Sequence, residues 1–178
     1  SESSALHIDD KDRDIFFSEI TNKSLKIFSS MGAMMLVVMP FIFPFFVNSK
    51  FGDSYNYIPI LTISCVFNVL VCIYTGIYIA RKETKKVAST TIIGALVNIL
   101  INVVLIKYIG LYAAAVSTAL SYLVMAMVRH FDIVKSINIK FDKYLIEGLI
   151  IEYIFIFSLY YINNVYLNIL SLVVVSIL

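Results

Sequence analysis

Asn98 and Asn102 lie four residues apart inside an apolar run, and Tyr74 and Tyr78 repeat that spacing in the run before it. Four residues is about one helical turn, so each pair shares a face. Buried amides need partners. In lipid, Asn98 and Asn102 therefore either join helices or line a wet cavity. Asn68 and Thr75 form a second polar face on the tyrosine-bearing run. Glu152 lies eight residues beyond Tyr144 in a later run, about 12 Å deeper by helical rise. A carboxylate at that depth is costly. It is protonated, paired or turned to a water-filled cavity, and is a candidate for ion or proton coupling. This chemistry is recognition and coupling. Nothing in the chain assembles a catalytic set. The only histidines, His7 and His130, fall in loops outside the apolar runs, so no Ser/His/Asp arrangement is visible. Cys65 and Cys72 are seven apart on one run, about 10 Å along a helix, too far for a disulfide. They read as small apolar packing residues. No metal-ligand spacing and no phosphate-cradling glycine loop occurs, so the expectation is a non-enzyme without metal or cofactor.

The elements that must hold these residues are membrane spans. Crossing about 30 Å of hydrocarbon takes about 20 predominantly apolar residues. Stretches 27–47, 58–80, 87–106, 110–128 and 144–162 meet or approach that length, and 165–178 is still apolar where the sequence stops. Hydrophobic residues make up 60% of the chain and charged residues 15%, where a soluble domain carries about 25% charged. The expected fold class is all-α, a polytopic transmembrane bundle of about six spans. Residues 1–26 form a polar cytoplasmic segment, and 27–178 the bundle. The start at Ser1, a polar opening unlike a signal peptide and an apolar end suggest a piece of a larger membrane protein.

Charge sets an orientation. Lys11, Arg13, Lys23 and Lys26 precede the first span; Arg81, Lys82, Lys85 and Lys86 separate the second and third; Arg129, Lys135, Lys140 and Lys143 separate the fourth and fifth. Of fourteen basic residues, only Lys50 and Lys107 lie elsewhere. Basic loops stay cytoplasmic, so the N-terminus is expected inside. Tyr55, Tyr57, Tyr108, Tyr112, Tyr160, Tyr161 and Tyr166 cluster at the opposite ends of the spans, as interfacial tyrosines do. The net charge of +2 reflects this loop asymmetry and gives no reason to expect nucleic-acid binding. Asp132 reads as a solvated loop charge.

Local signals add detail. Phe16, Phe17 and Ile20 share a face within residues 8–26, which predicts an interfacial helix leading into the first span, the alternative being an ordinary solvated linker. Pro40 and Pro44 predict a kink near the outer end of that span, as a hinge or as static bending. Pro59 suits the first turn of the second span. Ala113, Ser117 and Ser121 recur at intervals of four, as do Gly110, Ala114 and Thr118, which lets another helix approach closely.

An ordered set of features carries a resemblance. Phe51-Gly52-x-x-Tyr55 precedes a span. A short basic loop follows, with Arg81, Lys82, Lys85 and Lys86. Next comes a span with Asn98 and Asn102 that ends at Leu105–Ile106. A Gly110 turn then opens a small-residue helix through Ala113, Ala114 and Thr118. Residues 15–131 in this order resemble the C-terminal half of bacterial polysaccharide, or O-antigen type, flippases of the multidrug/oligosaccharidyl-lipid/polysaccharide exporter superfamily. The family usually has a second glycine where this chain has Ala113. The resemblance implies a two-lobed transporter in the bacterial cytoplasmic membrane that works by alternating access. Its cargo would be an undecaprenyl-diphosphate-linked oligosaccharide, flipped to the outer leaflet for surface polysaccharide export. Arg81 and Lys82 would suit the diphosphate. Asn98, Asn102, Tyr74 and Tyr78 would bind sugars, and Pro40/Pro44 would flex. Membrane lipids and a polysaccharide polymerase or other glycan-assembly proteins would be its partners.

Two other readings compete. A multidrug or cation antiporter of the same superfamily needs cavity carboxylates, and the expected spans before Glu147 contain none. A non-transporting scaffold of a glycan-assembly complex leaves the polar set Asn68, Asn98, Asn102 and Glu152 without a role. A membrane glycosyltransferase would need a polar domain or long loops, and this sequence has neither.

Overall fold

A backbone in hydrocarbon has only itself to hydrogen-bond, which selects helices for long apolar runs. The computed structural model describes residues 9–162 and is all-helical. Helices α1 (Asp10–Phe46), α2 (Ile58–Ala80), α3 (Thr84–Ile109), α4 (Tyr112–Ile133) and α5 (Lys143–Ile162) follow in order, with a 3-10 segment, Ser49–Tyr57, between α1 and α2. No strand occurs among the described residues. All five helices are long and apolar enough to cross a membrane, and they fit a multi-pass membrane protein. The expected sixth span at 165–178, and Tyr166 with it, lie outside the described residues.

α2 coincides with its expected span. α3 and α4 run past theirs, because a helix ends where its backbone finds caps and not where hydrophobicity falls. α4 continues to Ile133 and closes with Val134 N donating to His130 O at 2.9 Å. Arg129, expected in a loop, is therefore helical and buried. The expected interfacial segment and first span are a single 37-residue helix, about 55 Å long by rise per residue. Asp9 caps its start, accepting from Asp10 N at 3.0 Å. α1 stays helical through Pro40 and Pro44 to Phe46.

α4 packs against both α2 and α3, and α1 packs against both α2 and α5. Two ridges of every-fourth residues make these seams, the commonest way helices interdigitate. On α4 the ridge is Ala113, Ser117, Ser121, Met125, Arg129 and Ile133, all buried. The parallel series fares differently: Gly110 and Ala114 are exposed and Thr118 is half-buried. On α1 the ridge is Phe17, Thr21, Leu25, Ser29, Ala33 and Val37, also buried. α3 runs antiparallel to α4 in steady register. Thr90 meets Arg129, a Cβ at Gly94 would touch Met125 Sδ at 3.3 Å, and Asn98 Nδ2 donates to Thr118 Oγ1 at 3.4 Å.

The three basic segments gather at one end of the bundle. Arg13 donates to Ser136 O at 2.9 Å, Asn22 to Lys140 O at 3.0 Å, and Lys86 pairs with Asp132 at 2.8 Å. Tyrosines tie the other end. Tyr160 Oη donates to Tyr55 O at 2.8 Å and Tyr161 Oη to Asn56 O at 3.0 Å, while Tyr57 and Tyr112 meet edge-on at 4.6 Å. Tyr160 is buried, so it serves as a tie between segments and Tyr108, largely exposed, fits an interfacial belt better. Cys65 and Cys72, expected as packing residues, are both exposed on α2.

Candidate functional site at the basic end

The α4 ridge delivers Arg129 to a point where α2, α3 and α4 meet. Its guanidinium carries five N–H groups, and all are used. Nε donates to Thr90 Oγ1 at 2.9 Å. Nη1 donates to Val71 O at 2.9 Å and to Thr75 Oγ1. Nη2 donates to Thr91 Oγ1 at 3.1 Å and to Val87 O at 3.4 Å. The three threonine hydroxyls in turn donate to carbonyls of their own helices, Thr75 to Val71 O at 2.7 Å, Thr90 to Lys86 O at 2.7 Å and Thr91 to Val87 O at 2.8 Å. A buried charge is tolerated only when its hydrogen bonds are made. Here neutral dipoles make them, since no carboxylate pairs with Arg129 among the described residues. Sequence reasoning missed this residue. The signal was present: the Ala113–Ser117–Ser121 series, continued two more steps, lands on Arg129.

Beside this site and one turn beyond it, α2 and α4 align two tyrosines with two more α4 side chains. Tyr74 Oη lies 2.9 Å from His130 Nδ1, and Tyr78 Oη donates to Asp132 Oδ2 at 3.1 Å. Asp132 also receives Lys86 at 2.8 Å, and Lys86 lies 3.1 Å from Glu83. Asp132 is thus the hub joining α2, α3 and α4, not the solvated loop charge expected. Beyond this hub opens a cavity of about 620 Å³. Arg13, Arg81, Lys86 and Lys135 supply its cations, Glu83 and Asp132 its carboxylates. Of the three arginines, only Arg81 has a guanidinium with no partner among the described residues. Arg13 is braced by Asp10 at 2.6 Å and by Ser136 O. Such a cavity offers an anionic oxygen charge-assisted hydrogen bonds from a planar guanidinium and adjacent ammonium groups.

The remaining sequence candidates scatter. Tyr74 and Tyr78 are buried beneath the cavity, with their hydroxyls already committed. Lys82 is exposed, has φ +61° and does not line the cavity. Asn98 sits at the α3–α4 seam, twelve residues beyond Lys86 and about 18 Å along the helix. Asn102, half-buried, makes no side-chain hydrogen bond among the described residues. Glu152 is half-buried on α5, on the far side of α1, with no hydrogen-bond or ion-pair partner among them. Pro40 and Pro44 line a pocket of about 270 Å³ at the tyrosine-tied end. No group of three or more His, Cys, Asp or Glu able to hold a metal occurs among the described residues.

Comparison with protein-family models, curated proteins and solved structures finds no match to this chain.

Proposed function

We propose that this chain forms the C-terminal lobe of a transporter that flips undecaprenyl-diphosphate-linked oligosaccharide across the bacterial cytoplasmic membrane by alternating access, with the basic end cytoplasmic. The observation that carries this reading is the guanidinium of Arg81, without a partner among the described residues, on the wall of a cavity it shares with Lys86 and Lys135. A diphosphate arriving in the inner leaflet meets basic groups at that level. Arg81 supplies two parallel N–H donors and the lysines supply charge. Asp132 and Glu83 hold Lys86 in place. The ordered motifs that resemble polysaccharide flippases supply the cargo class, and Asn98 and Asn102 remain the sugar-facing candidates. Pro40/Pro44 is the flexing element of this scheme.

The test is made in the source bacterium, on the full-length gene. Disruption removes a surface glycan and traps its lipid-linked precursor in the inner leaflet. Complementation with Arg81→Gln restores export at least tenfold less well than the parent at equal membrane abundance, whereas Lys82→Gln restores it fully. Normal glycan with new sensitivity to cationic drugs overturns the reading. That outcome favours an antiporter, for which Glu152, without a partner among the described residues, is the coupling candidate, and Glu152→Gln would then abolish drug resistance.

A further inference from the structure

One face of α1 runs from a compartment lined by charged and polar side chains to an apolar groove. Lys11, Ser18 and Asn22 line the compartment, about 650 Å³ in volume, and Leu25 and Ser29 line the groove, about 450 Å³. Their spacing keeps them on one side of the helix. Phe141, in the α4–α5 connection, lines both spaces and stands at their junction. α2 and α5 wall the groove with residues such as Val66, Phe67, Leu149 and Phe157.

Two polar features break this pattern. In the compartment the carboxylates are engaged by neighbours. Glu19 holds Lys23 at 2.7 Å, Asp14 accepts from Arg13 at 3.4 Å, and Asp142 accepts from Tyr144 N at 3.0 Å as the cap of α5. The ammonium groups of Lys11 and Lys140 are left with no partner among the described residues. Ser29, which lines the groove, is 1% exposed, and its hydroxyl has no hydrogen-bond partner among the described residues. A buried, unpaired hydroxyl is costly, and here it lies among apolar walls where a ligand acceptor would satisfy it.

We propose that this channel along α1 is a binding site for an anionic phospholipid of the leaflet facing the basic end. Lys140 meets the phosphate beside Phe141, with Lys11 on the far wall adding charge. The Ser29 hydroxyl donates to an ester carbonyl. An acyl chain fills the groove between α2 and α5. Free ammonium groups above an apolar slot match a ligand with one anionic end and one hydrocarbon end, and a bilayer supplies that ligand at high local concentration. This site lies across α1 from Arg81 and stands independently of the transport cargo.

The full chain, purified in detergent, is titrated with phosphatidylglycerol, phosphatidylcholine or inorganic phosphate. Thermal melting and lipid retention by native mass spectrometry are the readouts. Phosphatidylglycerol is expected to be retained and to raise the melting temperature; phosphatidylcholine and inorganic phosphate have little effect. Lys140→Gln weakens the phosphatidylglycerol response about fivefold, the contribution of one lysine near an anionic lipid. Lys85→Gln/Lys107→Gln, which removes charge elsewhere, leaves it intact. Ser29→Ala gives the decisive split: the lipid-free protein melts no lower than the parent, yet the lipid-induced shift shrinks. Leu149→Trp fills the groove and abolishes retention. Should that variant fail to fold, the Lys140 and Ser29 variants still decide. Equal retention of both lipids, an equal response to inorganic phosphate, or unchanged responses in Lys140→Gln and Ser29→Ala overturn the proposal.

Discussion

The α3–α4 seam and the α1–α5 seam solve one problem in opposite ways. Lipid tails compete with apolar side chains for any helix surface, so apolar contact alone discriminates weakly between helix and bilayer. At the α3–α4 seam the answer is polar. Arg129 reaches Thr90, Thr91 and Val87 on α3 while also holding Val71 and Thr75 on α2. At the α1–α5 seam the answer is close approach. A Cβ at Gly32 would lie 2.7 Å from Tyr153 Oη and 2.9 Å from Thr62 Cγ2, so α1 meets α2 and α5 at one crossing. Tyr153 Oη donates to Ser29 O at 3.0 Å there, and Ala33, Leu36, Val37, Ile156 and Tyr160 pack as one cluster. The polar seam is all-or-none, because a buried cation short of acceptors is penalised. The packed seam is graded, because shape mismatch can be shared among neighbours.

The largest effect should come from starving the cation. Thr75→Val with Thr90→Val removes two charge-assisted bonds and leaves the charge buried. The expected loss is about 3 kcal/mol or more in a detergent unfolding titration. Arg129→Met in the parent costs less, since each threonine keeps its bond to its own helix. Arg129→Met in the double-threonine variant should restore stability. If Arg129→Met proves the worst of the three, the charge is attractive in itself and the contrast drawn between the seams is lost. Next in size is Gly32→Ala, expected to cost about 1–3 kcal/mol through overpacking and to be partly rescued by Tyr153→Phe. Absence of that rescue would place the strain on Thr62. Tyr160→Phe removes one bond to Tyr55 O and should cost about 1 kcal/mol in the same titration. The smallest effect belongs to Lys86→Ala, whose exposed ion pairs should leave the melting temperature unchanged; its effect is expected on export instead.

What the sequence made legible follows a single physical line. The all-helical class and the position of α2 could be read because spans announce themselves by length and apolarity. The Ala113–Ser117–Ser121 face could be read because helical period is local. Arg129 and Asp132 could not, because a charge beside an apolar run looks like the end of a span, and only their partners on α2 and α3 show otherwise. The face shared by Tyr74 and Tyr78 was apparent, yet what they bond, His130 and Asp132, lies more than fifty residues onward. Adjacent Arg81 and Lys82 looked equivalent. The tight turn at Lys82, with φ +61°, separates them, so that Arg81 lines the cavity and Lys82 does not.

The length of α1 has a mechanical meaning. From Gly32, where three helices cross, to Asp10 is about 33 Å of unbroken helix at 1.5 Å per residue. A tilt of about 5° at that crossing would sweep the far end through about 3 Å, roughly one hydrogen-bond length. Arg13 and Asn22 fasten this arm to Ser136 and Lys140. Under the alternating access proposed above, that arm would act as a lever, its fulcrum within the bundle and its load the cavity rim that Arg13 and Ser136 share with Arg81.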